Sequence, residues 1–192
     1  MTKLILGIVV GVVLFPLAVY AYLTSGYAPA AATDSALPLE TFIAGTALFR
    51  RIHSEAPTRD VSGMPTADLV AGAQAYQKNC AMCHGLPNQP PPAIASTMFP
   101  PAPELFSQKG MVTDDPAGVT YWKVKNGIRL TGMPSFRNVL SDDQIWQVAA
   151  VVSRADKLPP EAQDALKPVA PPSAPPPSAA PAGMPAKPKP RS

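Results

Sequence analysis

Two cysteines and a histidine form the most specific pattern in the chain. The protein has 192 residues and only two cysteines, Cys80 and Cys83, and His84 follows the second of them directly. At the end of a helical turn, residues i, i+3 and i+4 lie on one side. The spacing therefore brings two thiols and one imidazole to the same side, where all three can act on a single ligand.

The pattern C-x-x-C-H is the signature for attachment of haem in c-type cytochromes. Its two thiols can add to the two vinyl groups of one porphyrin, while the imidazole reaches the iron from the same face. A structural zinc site needs four ligands, and the sequence has no second C-x-x-C and only one other histidine, His53. A thioredoxin-like dithiol usually belongs to a βαβ context, and a simple disulfide leaves His84 unexplained. The motif therefore predicts one covalent haem c, held by Cys80, Cys83 and His84.

A bound haem needs a sixth iron ligand or an open position. Methionine together with histidine suits electron transfer, whereas an open position suits oxygen or peroxide chemistry. Met133 is the favoured ligand, because Gly127 and Gly132 permit tight turns in its loop, which can lay the thioether over a flat cofactor. Met98 and Met111, in or near a proline-rich loop, stay open as alternatives. The methionines set aside by their place in the sequence are Met64, Met82 and Met184.

Helices are the elements that must position these residues. Residues 66–80 place apolar side chains along one face, with Thr66 as a plausible N-cap, and deliver the cysteines at their end. A further helix is predicted near 113–127, with Pro116 in its first turn. The last helix is predicted to begin after Ser141, which forms a capping box with Gln144. No alternating apolar pattern is long enough for a sheet, so the sequence predicts an all-α fold.

The rest of the chain divides into three further parts. Residues 1–25 contain an apolar run long enough to cross a bilayer, although small residues near 28–32 leave a cleaved signal peptide open. Residues 26–65 are predicted to be a linker with an amphipathic helix over 38–55. The haem domain is predicted over 66–158, and a disordered proline- and alanine-rich tail over 159–192. Lys3 before the apolar run favours an orientation with the haem domain outside the cytoplasm.

The charge of the chain gives no support for nucleic-acid binding and suggests how the haem site could attract its partners. The net charge is only +3, and the basic residues are scattered, so nothing indicates a nucleic-acid interface. Several of them nevertheless fall in segments expected around the haem crevice, where a cationic rim would attract acidic redox partners, unless they form an ordinary solvated surface. These residues are Lys78, Lys109, Lys123, Lys125, Arg129 and Arg137.

The motifs together resemble the class I type, single-haem cytochromes c over residues 67–157. The resemblance is carried by "GAQAYQKNCAMCHG", "GIRLTGMPSF" and "LSDDQIWQVAAVV". It implies a small helical domain around one haem, with His84 as the proximal and Met133 as the distal iron ligand. It also implies that the first and last helices cross, with Gly72, Tyr76 and Trp146 at the crossing. More narrowly, the chain is similar to membrane-anchored bacterial forms.

The function that this resemblance implies is electron transfer rather than enzymatic catalysis. The expected location is the bacterial inner membrane, with a single spanning helix and the haem domain in the periplasm. Redox proteins are the expected partners: a quinol-oxidising or dehydrogenase complex as donor, and an oxidase or reductase as acceptor. Two alternatives stay open: a permanent cytochrome subunit of a larger oxidoreductase, and a haem enzyme or sensor with an open sixth position. His53 could enter as a ligand only if the 38–55 helix folded back over the haem.

Overall fold

All regular structure in the described part of the chain is helical. The computed structural model describes residues 1–107 and 113–168, and no strand occurs among them. The predicted all-α class is confirmed. The elements are α1 (Thr2–Thr24), α2 (Glu40–Glu55), α3 (Thr66–Asn79), α4 (Ala81–His84), a 3₁₀ turn (Ala93–Thr97), α5 (Ala117–Asn126), α6 (Asp142–Ser153) and α7 (Pro160–Ala165).

The N-terminal helix α1 contacts no other helix among residues 1–107 and 113–168. It has 23 residues, and none of its side chains is buried. A bilayer core about 30 Å thick needs roughly 20 apolar residues in a helix. By length and composition, α1 is therefore able to cross a membrane.

The core forms where α3 and α5 pack against α6. Gly72 permits the close approach of α3 to α6, since a Cβ built on it would lie 2.4 Å from the carbonyl oxygen of Gln147 and 3.0 Å from a methyl carbon of Val151. Residues 147 and 151 are four apart and share one face of α6. A small residue at position 72 is therefore required by the backbone of the opposing helix.

The placement of Trp146 at this crossing was wrong. Its ring stacks on Tyr121 of α5, with centroids 4.2 Å apart and planes at 22°, and the guanidinium carbon of Arg59 lies 5.3 Å from its centroid on an indole face. One residue along a helix turns the side chain by about 100°, so position 146 faces α5 where 147 faces α3. Tyr76 of α3 packs instead against Phe106, edge to face at 5.1 Å.

Local signals predicted one helix start correctly and one incorrectly. At α6 the capping box is confirmed: Gln144 N donates to Ser141 Oγ at 3.2 Å, and Ser141 N donates to Gln144 Oε1 at 2.9 Å. At α3 the N-cap position is Pro65, and no side chain caps the helix. The Thr66 side chain is thus already inside the first turn, where it cannot serve as the cap.

The predicted boundary of the domain at 158 was also wrong. Helix α7 follows it, and Leu158, Ala162 and Leu166 are 5%, 0% and 1% exposed. Spaced four apart, these residues form one stripe against α3, where Gln77 Nε2 donates to the carbonyl oxygen of Lys167. Residues 159–168 therefore belong to the packed domain, and the remainder of the predicted tail, 169–192, lies outside the described residues.

The helix predicted over 38–55 exists but begins later, at Glu40, because Leu39 adopts a left-handed conformation with φ of 66°. Its C-terminal end is joined to the domain. Ile52 is buried, and Glu55 Oε2 accepts a hydrogen bond from Trp122 Nε1 at 3.0 Å. The chain then passes so close to α5 that a Cβ on Gly118 would lie 1.8 Å from the carbonyl oxygen of Pro57.

Candidate functional site

The C-x-x-C-H motif folds as one short helical turn at the end of α3. Cys83 N and His84 N both donate to the carbonyl oxygen of Cys80, at 3.0 and 2.9 Å. The two sulfur atoms are not joined to each other. The turn therefore carries two free thiols and an imidazole at positions i, i+3 and i+4 of one helical turn.

A buried tyrosine fixes the end of this turn. Tyr76 is 0% exposed, and its hydroxyl donates to the carbonyl oxygen of Gly85 at 2.9 Å. Burial raises the pKa of the Tyr76 hydroxyl, which therefore stays a donor at any physiological pH. Gly85 has a φ of 75°, a conformation that glycine adopts without strain, and this lets the chain leave the turn directly after His84.

Cys80 is the more enclosed of the two thiols, at 8% exposed. Burial, and then the proximity of Cys83, raises the pKa of the Cys80 thiol to about 12. A thiolate is the reactive form, so a thiol with this pKa is a poor nucleophile near neutral pH.

His84 is oriented by a backbone carbonyl that the sequence did not indicate. Its Nδ1 lies 2.8 Å from the carbonyl oxygen of Pro103. A carbonyl can only accept, so Nδ1 carries a proton, and in the neutral ring the lone pair is then on Nε2. A hydrogen bond at the far ring nitrogen commonly fixes the tautomer and orientation of a metal-ligating histidine.

A cleft of about 240 Å³ opens beside His84. Its walls come from the chain that follows the turn and from the loop after Pro103, including Leu86, Glu104 and Phe106. The other histidine is elsewhere: His53 packs against Phe49 within α2, with ring centroids 4.0 Å apart and planes tilted by 48°, and borders a separate groove of about 710 Å³. The expectation that His53 is not an axial ligand stays a prediction.

The Met133 loop is held in shape by its own backbone. Gly127 ends α5 with a φ of 69°, and a Cβ there would lie 2.7 Å from the carbonyl carbon of Pro134. Across the loop, Ile128 N donates to the carbonyl oxygen of Met133 at 3.1 Å, and Met133 N donates to Thr131 Oγ1 at 3.1 Å. The Met133 side chain is half-buried and packs against the core.

The same loop also closes the C-terminal end of α5. Phe136 N donates to the carbonyl oxygen of Val124 at 3.0 Å, and Ser135 Oγ donates to that of Lys125 at 2.6 Å. The last carbonyls of a helix have no partner within the helix, so these contacts satisfy groups that would otherwise face water. These hydrogen bonds attach the loop that carries Met133 to the C-terminal end of α5.

A second methionine lies beside this loop. The sulfur of Met98 would be 2.7 Å from a Cβ on Gly132, the residue before Met133. Of the other methionines, Met64 packs against the core and Met82 is 70% exposed, while Met111 lies outside the described residues. The structure thus brings two thioethers, Met98 and Met133, to one region of the surface.

The predicted cationic rim is partly neutralised. Lys125 Nζ lies 2.7 Å from Asp142 Oδ1 and donates to the Tyr121 hydroxyl at 2.6 Å. Lys123 lies 3.8 Å from Asp115. Lys109 lies outside the described residues. Fewer of the predicted cations are therefore free to attract an acidic partner than their number suggests.

Protein side chains alone do not form a metal centre in the described part of the chain. Over residues 1–107 and 113–168, no three or more His, Cys, Asp and Glu residues lie close enough to hold a metal ion. The chemistry that the donor set does fit is that of a metal brought by a planar organic group. Two thiols can bond the edge of such a group, and one imidazole with a free Nε2 can reach its metal.

Comparisons with known proteins agree with this donor set. The family described as "Cytochrome C oxidase, cbb3-type, subunit III" matches residues 67–151. "Cytochrome c6" of Tetradesmus obliquus is 39% identical over 88 residues, which cover 45% of this chain and 90% of that protein. No solved structure matches.

Proposed function

Because the chain belongs to the cytochrome c family, whose members carry electrons on covalently bound haem c, we propose that it is a membrane-anchored electron carrier with His84 and Met133 as axial ligands. Members of the family are electron carriers rather than enzymes. When bound, haem c supplies an iron that gains or loses one electron. The chain's own residues decide where that group sits and how stable each oxidation state is.

The observation that carries the proposal is the turn from Cys80 to His84 with its hydrogen bond to Pro103. Cys80 and Cys83 would form the two thioether bonds, and His84 Nε2 would bind the iron from the same face. The Pro103 carbonyl supports this role because it keeps the proton on Nδ1 and the lone pair on Nε2. The Tyr76 hydroxyl supports it further by holding the end of the turn.

Met133 is proposed as the distal ligand in preference to Met98. Both backbone polar groups of Met133 are hydrogen-bonded within its loop, and the loop is tied to the end of α5. Its thioether can therefore be held in one place at little further entropic cost. Met98 packs its sulfur against Gly132, a position from which it supports the loop.

The proposed location is the bacterial inner membrane, with α1 as a single anchor and the haem domain in the periplasm. The length and apolar composition of α1 support an anchor. Tethering would raise the effective concentration of the haem domain near membrane-bound redox partners. The proposed donor is a quinol-oxidising or dehydrogenase complex, and the proposed acceptor is an oxidase or reductase.

The test is the visible and near-infrared spectrum of the full-length, haem-loaded protein. In the oxidised form, the wild type should show the weak near-infrared band that reports sulfur–iron ligation. Met133→Ala should lose this band, and the reduced form of that variant should bind carbon monoxide. Met98→Ala is the matched control and should keep the band.

The outcomes separate the ligand assignments. Loss of the band in Met98→Ala, with the band retained in Met133→Ala, would exchange the two roles and contradict the assignment of Met133. A wild type with covalent haem, no band and ready carbon monoxide binding would contradict methionine ligation altogether. Covalent attachment itself is tested by denaturing electrophoresis with haem staining, in which Cys80→Ala and Cys83→Ala should weaken or abolish the stained band.

A second candidate role is that of a permanent subunit of a larger oxidoreductase. It is favoured by the description of the matching family, which names subunit III of a cytochrome oxidase. Extraction of native membranes in a mild detergent distinguishes the two roles by size. A free carrier migrates close to its own 20.1 kDa plus detergent, whereas a subunit co-migrates with a much larger, multi-haem complex.

A further inference from the structure

Helix α2 has two different apolar sides, of which the described part of the chain covers only one. The covered side contacts α5 through buried Ile52 and through the hydrogen bond from Trp122 to Glu55. The segment that follows α2 is locked to α5 by the approach of Pro57 to Gly118. The C-terminal half of α2 is therefore a fixed part of the haem domain.

The other side of α2, together with the N-cap residue Leu39 just before it, presents four large apolar side chains that face outward. Leu39, Phe42, Ile43 and Phe49 are 67%, 69%, 62% and 58% exposed. At about 100° per residue, Phe42, Ile43 and Phe49 fall within an arc of roughly 120°, on the side of the helix roughly opposite to the one that meets α5. Contiguous apolar surface of this kind usually marks a binding surface.

The position of this apolar face in the chain points to a bilayer as its occupant. Tyr20, Tyr22 and Tyr27 are exposed at and just beyond the end of α1, as is typical of residues at a membrane–water interface. Only residues 25–39 separate α1 from α2. Part of this segment is drawn into a turn, because Asp34 Oδ2 accepts hydrogen bonds from the backbone nitrogens of residues 30 and 31, each at 2.8 Å. A short, partly folded segment therefore joins the end of α1 to the apolar face of α2, which keeps this face close to the membrane surface.

The charges around the face fit a surface of phosphate groups. Arg50 lies within the same arc and is exposed, and no carboxylate in the described ranges pairs with it. Its neighbour Arg51 forms an ion pair with Glu55 at 2.7 Å. A guanidinium on a long stem can reach a headgroup phosphate while its helix lies in the interface. An amphipathic helix of this type buries its apolar face by about 5–10 Å at the boundary between headgroups and acyl chains.

We propose that the apolar face of α2, formed by Leu39, Phe42, Ile43 and Phe49, lies in the surface of an anionic phospholipid bilayer and fixes how the haem domain stands on the membrane. This inference rests on the proposed role of α1 as the anchor. It adds a second contact with the membrane. With two contacts, the haem domain has a defined orientation on the bilayer instead of moving freely on a tether.

The test uses full-length, haem-loaded protein reconstituted alone in vesicles of phosphatidylethanolamine and phosphatidylglycerol at high lipid excess. With Cys80 and Cys83 bonded to haem, a single introduced cysteine is the reactive thiol. Ile43→Cys lies on the apolar face, and Ala44→Cys is its matched control, exposed on the other side of the same helix. A membrane-impermeant maleimide should modify Ile43→Cys at least about tenfold more slowly than Ala44→Cys, because the reagent stays outside the buried layer.

Each outcome has a definite meaning. Equal rates at the two positions, with the protein still bound to the vesicles, contradict the placement of α2 and leave the α1 anchor intact. Protection that disappears as the lipid-to-protein ratio rises shows that a second copy of the chain covers the face, and overturns the inference. Protein that washes off the vesicles, with Val12→Cys in α1 freely modified, contradicts the anchor itself.

Discussion

The close crossing of α3 and α6 predicts that Gly72→Ala destabilises the haem domain, although alanine is the better helix former. The added methyl carbon would lie 2.4 Å from the Gln147 carbonyl oxygen, whereas real Cβ contacts essentially never fall below 3.0 Å. The two helices must therefore separate by at least 0.6 Å, the difference between these distances. Because the obstacle is the backbone of a helix, no change of side-chain rotamer can relieve it.

Two opposing contributions determine how much stability the Gly72→Ala protein loses. Overpacking of a core costs typically about 1–3 kcal/mol, and a backbone obstacle belongs in the upper part of that range. Replacing glycine by alanine inside a helix returns about 1 kcal/mol. The expected net loss is about 1–2 kcal/mol, which for a domain of this size lowers the melting temperature by roughly 4–16 °C.

The assay is thermal unfolding of the haem-loaded full chain in detergent, followed by circular dichroism and by the near-infrared band. Gly45→Ala is the matched control, because Gly45 lies inside α2 with nothing within 4 Å of the added methyl group. The control should leave the melting temperature unchanged or slightly higher. A Gly72→Ala protein that melts with the control, rather than below the wild type, would show that the crossing is looser than the structure has it.

Two further predictions concern the α2–α5 contact and an ion pair between α5 and α6. Gly118→Ala, whose methyl carbon would lie 1.8 Å from the Pro57 carbonyl oxygen, should detach the chain between α2 and α3 from α5. A cost of about 2 kcal/mol corresponds to roughly 30-fold faster proteolysis there, and an unchanged rate would contradict the contact. Lys125 holds the pKa of the Asp142 carboxyl below its ordinary value of 3.8, so this group adds stability above that pH and loses it as the pH falls further. Asp142→Asn should therefore be less stable than wild type at pH 7 and equal to it in acid below the depressed pKa, as followed by denaturant unfolding. Asp143→Asn, which loses only a 3.9 Å contact, should show little difference at either pH, and a deficit in Asp142→Asn that persists in acid would refute the argument.

The sequence was most informative where the site is local. Cys80, Cys83 and His84 fall within five residues, so one helical turn is enough to bring them together. The turn that begins the Met133 loop was likewise visible in the sequence, because Gly127 adopts a positive φ at the end of α5, but the second left-handed residue of the loop is Leu130, with a φ of 60°, and not Gly132. Both predictions depend on short-range geometry, which residue types and spacing determine directly.

Contacts between distant segments were much less visible. The acceptor for His84 Nδ1 is a backbone carbonyl 19 residues away, and every residue type carries such a carbonyl. Nothing in the sequence therefore distinguishes Pro103 from the other prolines of its loop. The face on which α6 meets α3 was misplaced by one residue, which is enough to turn Trp146 towards α5.

The start of the predicted tail shows how composition can hide a pattern. Prolines and alanines around position 160 suggested a chain with too little apolar surface to fold. Leu158, Ala162 and Leu166 nevertheless recur every four residues, and Pro160 suits the first turn of a helix. The stripe is too short to form a stable helix by itself, and it is buried only because α3 offers a complementary surface.

Helix α5 connects the proposed membrane contact of α2 with the loop that carries Met133, the proposed iron ligand. Within its first six residues, Gly118 and Trp122 attach α2 and the chain after it. At its C-terminal end, the carbonyls of Val124 and Lys125 hold the loop that carries Met133. The helix has ten residues and is about 15 Å long. If α2 lies on the bilayer, one rigid helix separates the membrane contact from the distal side of the haem site. The side of the haem domain that carries Met133 would then stay at a constant height and in a constant direction above the membrane. A substitution that frees α2 from α5 should therefore slow electron exchange with membrane-bound partners while leaving the spectrum of the haem unchanged.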